Sequence, residues 1–140
     1  MTVKEPKMRV IWIDDMRDPS KRLVLPKSFA LELNRIGLTP EIIWLKTYDE
    51  WINWIINTWH QEDDDEYINC FCLDHDLGCF DSEGKEKTGL NVAKDIINEL
   101  IVSDRKLPFY ECHSSNPFGR ENILSVFETY KKHFLKLEDR

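Results

Sequence analysis

Residues 67–78 read "YINCFCLDHDLG". Seven residues form a short, largely apolar run, the profile of a strand covered on both faces of a parallel sheet. The run stops abruptly in Asp74, His75 and Asp76, and the chain turns away at Leu77 and Gly78. Isolated buried charges cost several kcal/mol or more, so three ionisable groups in a row belong at a surface, beside a cation or in a site.

Three other segments share this form. "MRVIWI" (8–13) is continuously apolar and β-branched and ends in Asp14 and Asp15; "EIIWLK" (41–46) reads as a second strand; "LPFYECHSS" (107–115) reads as a fourth and ends in His113, Ser114 and Ser115. Helical spacing alternates with them. Phe29, Leu33 and Ile36 predict a helix at about 27–36 with Gly37 as its carboxyl-terminal cap. "TYDE" (47–50) has the pattern of a capping box, with Thr47 capping and Glu50 reaching back. The following "WINWIINTWH" puts Ile52, Ile55, Ile56 and Trp59 on one face and Trp51 and Trp54 elsewhere, as packing residues or as an interaction surface. "GCFDSEGKEKT" (78–88) reads as an exposed loop beside the acidic cluster. A helix follows with Leu90, Ala93, Ile96, Ile97 and Leu100 in register, and a last one over 116–134 with Ile123, Phe127, Tyr130 and Phe134 facing inward. The alternation predicts one α/β domain over 1–140, its core at about 8–134, with a mainly parallel sheet of four strands and no fifth strand after the last helix.

Bulk properties narrow the function. The chain has 140 residues, 41% hydrophobic and 32% charged, the balance of a soluble globular protein. No apolar run approaches the roughly 20 residues of a membrane span, and "MTVKEPKMRVIW" lacks a signal-peptide core, so a cytoplasmic location and no membrane partner are expected. A formal net charge of -7, with "QEDDDE" at 61–66, argues against binding long duplex nucleic acid through a basic face. The four cysteines lack CxxC spacing and read as buried thiols, Cys70 and Cys72 sharing one side of a strand.

The polar clusters fall at equivalent places. Asp14–Asp15, Asp74–His75–Asp76 and His113–Ser114–Ser115–Asn116 each end a strand, and ligands of open parallel sheets bind in the crevice beyond those ends. Carboxylates crowded there raise one another's pKa unless a cation sits among them. Oxygen donors suit Mg²⁺, Mn²⁺ or Ca²⁺, and a histidine added to them shifts the preference toward Mn²⁺ or another transition metal. Ser114, Ser115 and Asn116 precede a helix start marked by Pro117, and with Arg120 one turn in they form a candidate phosphate site. His75 and His113 are candidates for an acid and base pair near neutral pH, whereas His60 and His133 lie on helices away from such clusters.

"WIDDMRDP" (12–19), "LDHDLG" (73–78), "TGLNVAKDI" (88–96) and "HSSNPFGRENI" (113–123) resemble, in order and spacing, the cyclic-phosphate processing receiver domain family, a divergent relative of response-regulator receivers. The resemblance covers about 8–134, with 20–40 looking like an insertion. It implies a flavodoxin- or receiver-like three-layer sandwich without the usual fifth strand. Asp14 and Asp15 then correspond to a receiver's Mg²⁺ pair, Asp74 or Asp76 to its phosphoacceptor, and Ser114 or Ser115 to its switch hydroxyl. The lysine ending a receiver's fifth strand is missing with that strand, and Arg120 would supply positive charge instead.

The expected activity is a metal-dependent phosphoesterase acting on cyclic phosphates of nucleotides or RNA termini, its substrate class resting on the resemblance. Asp14, Asp15 and one of Asp74 or Asp76 would hold Mg²⁺ or Mn²⁺, with Asp74 the choice for the metal and Asp76 placed with the catalytic histidines. The metal would polarise phosphoryl oxygens and acidify a water. Ser114, Ser115, Asn116 and Arg120 would cradle the phosphate, and His75 and His113 would serve as base and acid. The alternative is a non-enzymatic receiver-like module that is phosphorylated or binds a phosphorylated ligand or protein, docking through the Trp51, Trp54 and Trp59 helix. A role for a virus or mobile element against nucleotide-based defence is a third reading.

Overall fold

In chain order the elements are β1 (Lys7–Ile13), α1 (Lys27–Ile36), β2 (Glu41–Leu45), α2 (Tyr48–Asn57), a 3-10 turn (Trp59–Gln61), β3 (Tyr67–Leu73), β4 (Cys79–Phe80), β5 (Glu86–Lys87), α3 (Gly89–Val102), β6 (Phe109–Cys112), α4 (Pro117–Tyr130) and a π-helical turn (Lys131–Leu135). They belong to a computed structural model that describes residues 6–135. Part of the amino-terminal stretch read for a signal peptide lies outside those residues. No helix in the described residues is long and apolar enough to cross a membrane.

Four strands form one parallel sheet in the order β2-β1-β3-β6. Alternation along the two central strands sorts the core into two layers. Met8, Val10, Trp12, Cys70 and Cys72 pack with Phe29 and Leu33 of α1 on one face. Ile11, Ile13, Phe71 and Leu73 pack with residues of α2, α3 and α4 on the other. Both faces are therefore covered, which is why β1 and β3 read as nearly unbroken apolar runs rather than as alternating ones. The architecture is the receiver-like α/β sandwich expected, and no strand follows α4 among the described residues.

Several local expectations need correction. The 78–88 segment is not a plain loop: Cys79 pairs with Lys87 and Phe80 with Glu86 in a small antiparallel hairpin. On α2 the buried face carries Trp51 and Trp54, while Ile56 is 54% exposed. Trp59 is also buried, from the 3-10 turn beyond the helix. The indoles win because they remove more apolar surface from water than isoleucines do, and helical spacing stops at Asn57. Their rings stack on one another and meet Phe71 edge-on or tilted, so these tryptophans form core rather than an exposed docking face. Phe134, expected inside, is 42% exposed because the regular α-helix ends at Tyr130.

Capping also departs from the pattern. Thr47 Oγ1 accepts from the Glu50 N–H at 3.1 Å, but Glu50 reaches back to the Lys46 N–H rather than to that of Thr47. The reciprocal box occurs at α3, where Thr88 Oγ1 accepts from the Leu90 N–H and Asn91 Oδ1 accepts from the Thr88 N–H. Gly37 ends α1 as expected, with φ of 76° and its N–H bonded to Leu33 O.

The amino ends of the strands are closed by ion pairs. Buried Arg9 bonds Glu62 and Asn69, and buried Arg105 bonds Glu99 and the carbonyls of Trp59 and Glu62. The carboxyl ends are left for a site.

Candidate functional site

Asp14 leaves β1 with its backbone still tied to β2: its N–H donates to Leu45 O, and its carbonyl accepts from Trp44 Nε1 at 2.8 Å. Its carboxylate is buried and heavily used. Oδ1 accepts the N–H groups of Met16 and Arg17, both at 2.9 Å, and Oδ2 lies 2.8 Å from His113 Nε2. Asp74 leaves β3 with its N–H on Ile13 O, which sets it beside Asp14. Oxygens of Asp14, Asp15 and Asp74 lie within 4.8 Å of one another. Burial, and then the charge of Asp14, push the Asp74 carboxyl above its ordinary range, against the pull of Arg17, His113 and a Ser114 hydrogen bond.

His113 is held flat. Its ring stacks on Trp12 with centroids 3.9 Å apart and planes 3° from parallel, and its side chain is 5% exposed. Burial lowers its proton affinity more than Asp14 restores it. A carboxylate oxygen accepts, so the Nε2 that faces Asp14 Oδ2 is the donor of this pair. Nδ1, on the other side of the ring, is buried with no hydrogen-bond partner.

Arg17 connects the clusters. Its Nη1 lies 3.5 Å from Asp14 Oδ2 and 3.8 Å from Asp74 Oδ1, and it donates to His113 O at 3.3 Å. Beside it a cavity of about 250 Å³ is lined by Trp12, Arg17, Arg22, Val24, His113, Ser114 and Ser115. Two guanidinium groups and two hydroxyls at one cavity suit an oxyanion. Larger cavities of about 470 and 540 Å³ open along β6 and near the amino end of β3, away from the carboxylates.

The residues singled out from the sequence divide accordingly. Asp14, Asp15, Asp74, His113, Ser114 and Ser115 come together around Arg17. His75 and Asp76 stand next to them as a pair, with His75 Nδ1 3.0 Å from Asp76 Oδ1 and Asp76 largely exposed. Asn116 does not present its side chain to a phosphate; Oδ1 accepts the Gly119 N–H as the amino-terminal cap of α4. Arg120 turns away from the carboxylates to β6, donating to Cys112 O and pairing with Glu111. A neighbouring carbonyl and carboxylate engage its guanidinium, and the arginines that line the cavity with Ser114 and Ser115 are Arg17 and Arg22, neither singled out from the sequence. Arg17 sits within the quoted "WIDDMRDP", where a cation three residues after Asp14 was the available signal; Arg22 lies in a stretch without periodicity.

The donor set fits a divalent cation: three carboxylates supply hard oxygens, with partly exposed Asp15 the least committed of them. Any such ion would compete with Arg17 for the oxygens of Asp14 and Asp74.

No curated protein and no solved structure matches the chain. A family model described as the cyclic-phosphate processing receiver domain matches residues 9–129, and the chain belongs to that family.

Proposed function

We propose that the crevice beyond β1, β3 and β6 binds the cyclic phosphate of a nucleotide or RNA terminus and opens it by hydrolysis. One observation carries the reading: a buried histidine with an unpartnered nitrogen lines the same cavity as two arginines and two serines, against a three-carboxylate cluster. Arg17, Arg22, Ser114 and Ser115 bind and orient the non-bridging phosphoryl oxygens. Asp15 and Asp74, with Asp14, would hold a divalent ion, whose chemistry is to neutralise charge developing on those oxygens. Attack of water on phosphorus forms one P–O bond and breaks the ring P–O bond; the proton lost by water passes to one histidine, and the departing ribose oxygen takes one from another. His113, with its free Nδ1, suits the base. His75, positioned by Asp76, suits the acid.

The test is turnover of 2′,3′-cyclic nucleotides by the purified protein with Mg²⁺, Mn²⁺ or EDTA. Opening that requires metal and falls at least a hundredfold in His113→Ala and Arg17→Ala is the expected result. Binding without turnover, repeated on 3′,5′-cyclic nucleotides and cyclic-phosphate RNA ends, would identify a non-enzymatic binding module instead.

A further inference from the structure

Three apolar side chains stand out for their exposure and their address. Met16 is 82% exposed, Phe118 79% and Phe80 68%, whereas Phe29, Phe71 and Phe127 are fully buried. Isolated exposed apolar residues are ordinary. These three, however, follow the carboxyl ends of β1, β3 and β6 within seven residues: Met16 in the loop after β1, Phe80 in β4, and Phe118 in the first turn of α4, the connections that carry the candidate site residues. Close packing ties those connections together. A Cβ on Gly78 would lie 3.4 Å from Asp15 Oδ2, which brings the turn before Phe80 against the residue before Met16. A Cβ on Gly119 would lie 2.3 Å from Cγ of His75, which brings the residue after Phe118 against the catalytic pair.

The rings are mounted on ordered backbone. Phe80 pairs with Glu86 in the β4–β5 hairpin, whose turn is held by Asp81 Oδ1 accepting the N–H groups of Glu83 and Lys85. Phe118 follows Pro117 in the first turn of α4, fixed by the Asn116 cap. A phosphate and a cation need no aromatic neighbours, but a nucleobase does, since its flat face stacks on such rings.

We infer that Phe80 and Phe118, with Met16, hold the base adjoining the phosphate, so that the ligand is a base-bearing phosphoester with an unpaired base. This rests on the phosphoesterase reading above and adds its specificity. A free nucleotide and a single-stranded RNA end share this chemistry; a base inside a duplex, stacked on its neighbours, does not offer it.

The experiment compares the wild type with Phe80→Ala/Phe118→Ala on 2′,3′-cyclic AMP, a short oligoribonucleotide ending in a 2′,3′-cyclic phosphate, and glycerol 1,2-cyclic phosphate, which has no base. Initial rates give KM and kcat, calorimetry gives the Kd of adenosine 3′-monophosphate, and a thermal melt checks folding. The wild type should prefer both base-bearing substrates to the glycerol ester. In the double variant that preference should shrink on the order of tenfold per ring, through KM and Kd rather than kcat. Equal losses on the two base-bearing probes assign the rings to one base, as in a mononucleotide; a larger loss on the oligonucleotide assigns them to an RNA end. A wild type that opens the glycerol ester as well as the nucleotides, or a double variant that keeps the preference, overturns the inference and leaves the phosphoesterase standing. If no probe is bound or opened, the phosphoesterase reading falls and the inference falls with it.

Discussion

At the scale of single residues, two glycines set the position of Asp74 and His75. A Cβ on Gly89 would lie 2.1 Å from the carbonyl oxygen of Asp74, and one on Gly119 would press on the imidazole of His75. Gly119→Ala therefore has two consequences. Overpacking of this kind costs about 1–3 kcal/mol, visible as a lower melting temperature, and turnover should fall further than stability because His75 must move. Full activity with an unshifted His75 ring signal by NMR would show that the histidine is not placed by this contact. Asp74 gives a second expectation. The carboxyl is crowded by Asp14 and partly buried, so Asp74→Asn should melt at the same temperature as the wild type or higher in EDTA, and should lose any gain the wild type shows on adding Mn²⁺. A drop of several degrees in EDTA would mean that Asp74 holds a structural network. The sequence marked Asp74 and His75 by type and place; the glycines behind them read only as helix openings, because a sequence does not show what a missing Cβ would meet.

At the scale of elements, β6 is an edge of the sheet, with no further strand beside it among the described residues. Such an edge invites pairing with another chain unless it is blunted. Here Pro108 offers no N–H, the outward Cys112 N–H donates to Glu111 Oε1 at 2.9 Å, and Cys112 O accepts from Arg120 at 3.2 Å. Arg120 thus serves the edge. Glu111→Ala/Arg120→Ala should uncover that pairing surface, so that light scattering after size exclusion shows mass rising with concentration, while the wild type stays constant. A constant mass in both would assign the edge's protection to its shortness alone. The four sheet strands were legible because a short apolar run that ends in charge suits a covered strand and little else. The α2 face was not, because apolar residues surround that helix and periodicity does not say which of them bury best. The β4–β5 hairpin was hidden by polar composition, since its pairing rests on backbone bonds and the Asp81 turn.

At the scale of the whole molecule, the two ends of the sheet do opposite things with charge. At the carboxyl end, carboxylates crowd and an arginine with limited contacts spans them; that three strand ends would meet there was legible from topology, whereas the reach of Arg17 and Arg22 depended on loop geometry that no periodicity encodes. At the amino end the buried charges are matched. Glu99 is buried with Arg105 and also bonds His60. Burial alone would raise its carboxyl, but hydrogen bonds from Arg105, Ser103 and His60 outweigh it and hold the group below its ordinary value of 4.5. The folded chain therefore binds this proton less tightly than the unfolded chain does. The stability so gained is fully present above about pH 4.5 and is lost as pH falls through the lower folded value. Glu99→Gln leaves Arg105 buried without a counter-charge and should cost about 3 kcal/mol at pH 7. The gap between the two melting curves should then narrow as pH falls below 4.5, because the wild type loses a contribution that the variant never had. Parallel curves down to acid unfolding would show that the charge of Glu99 contributes nothing that acid removes, and would overturn this account of the pair.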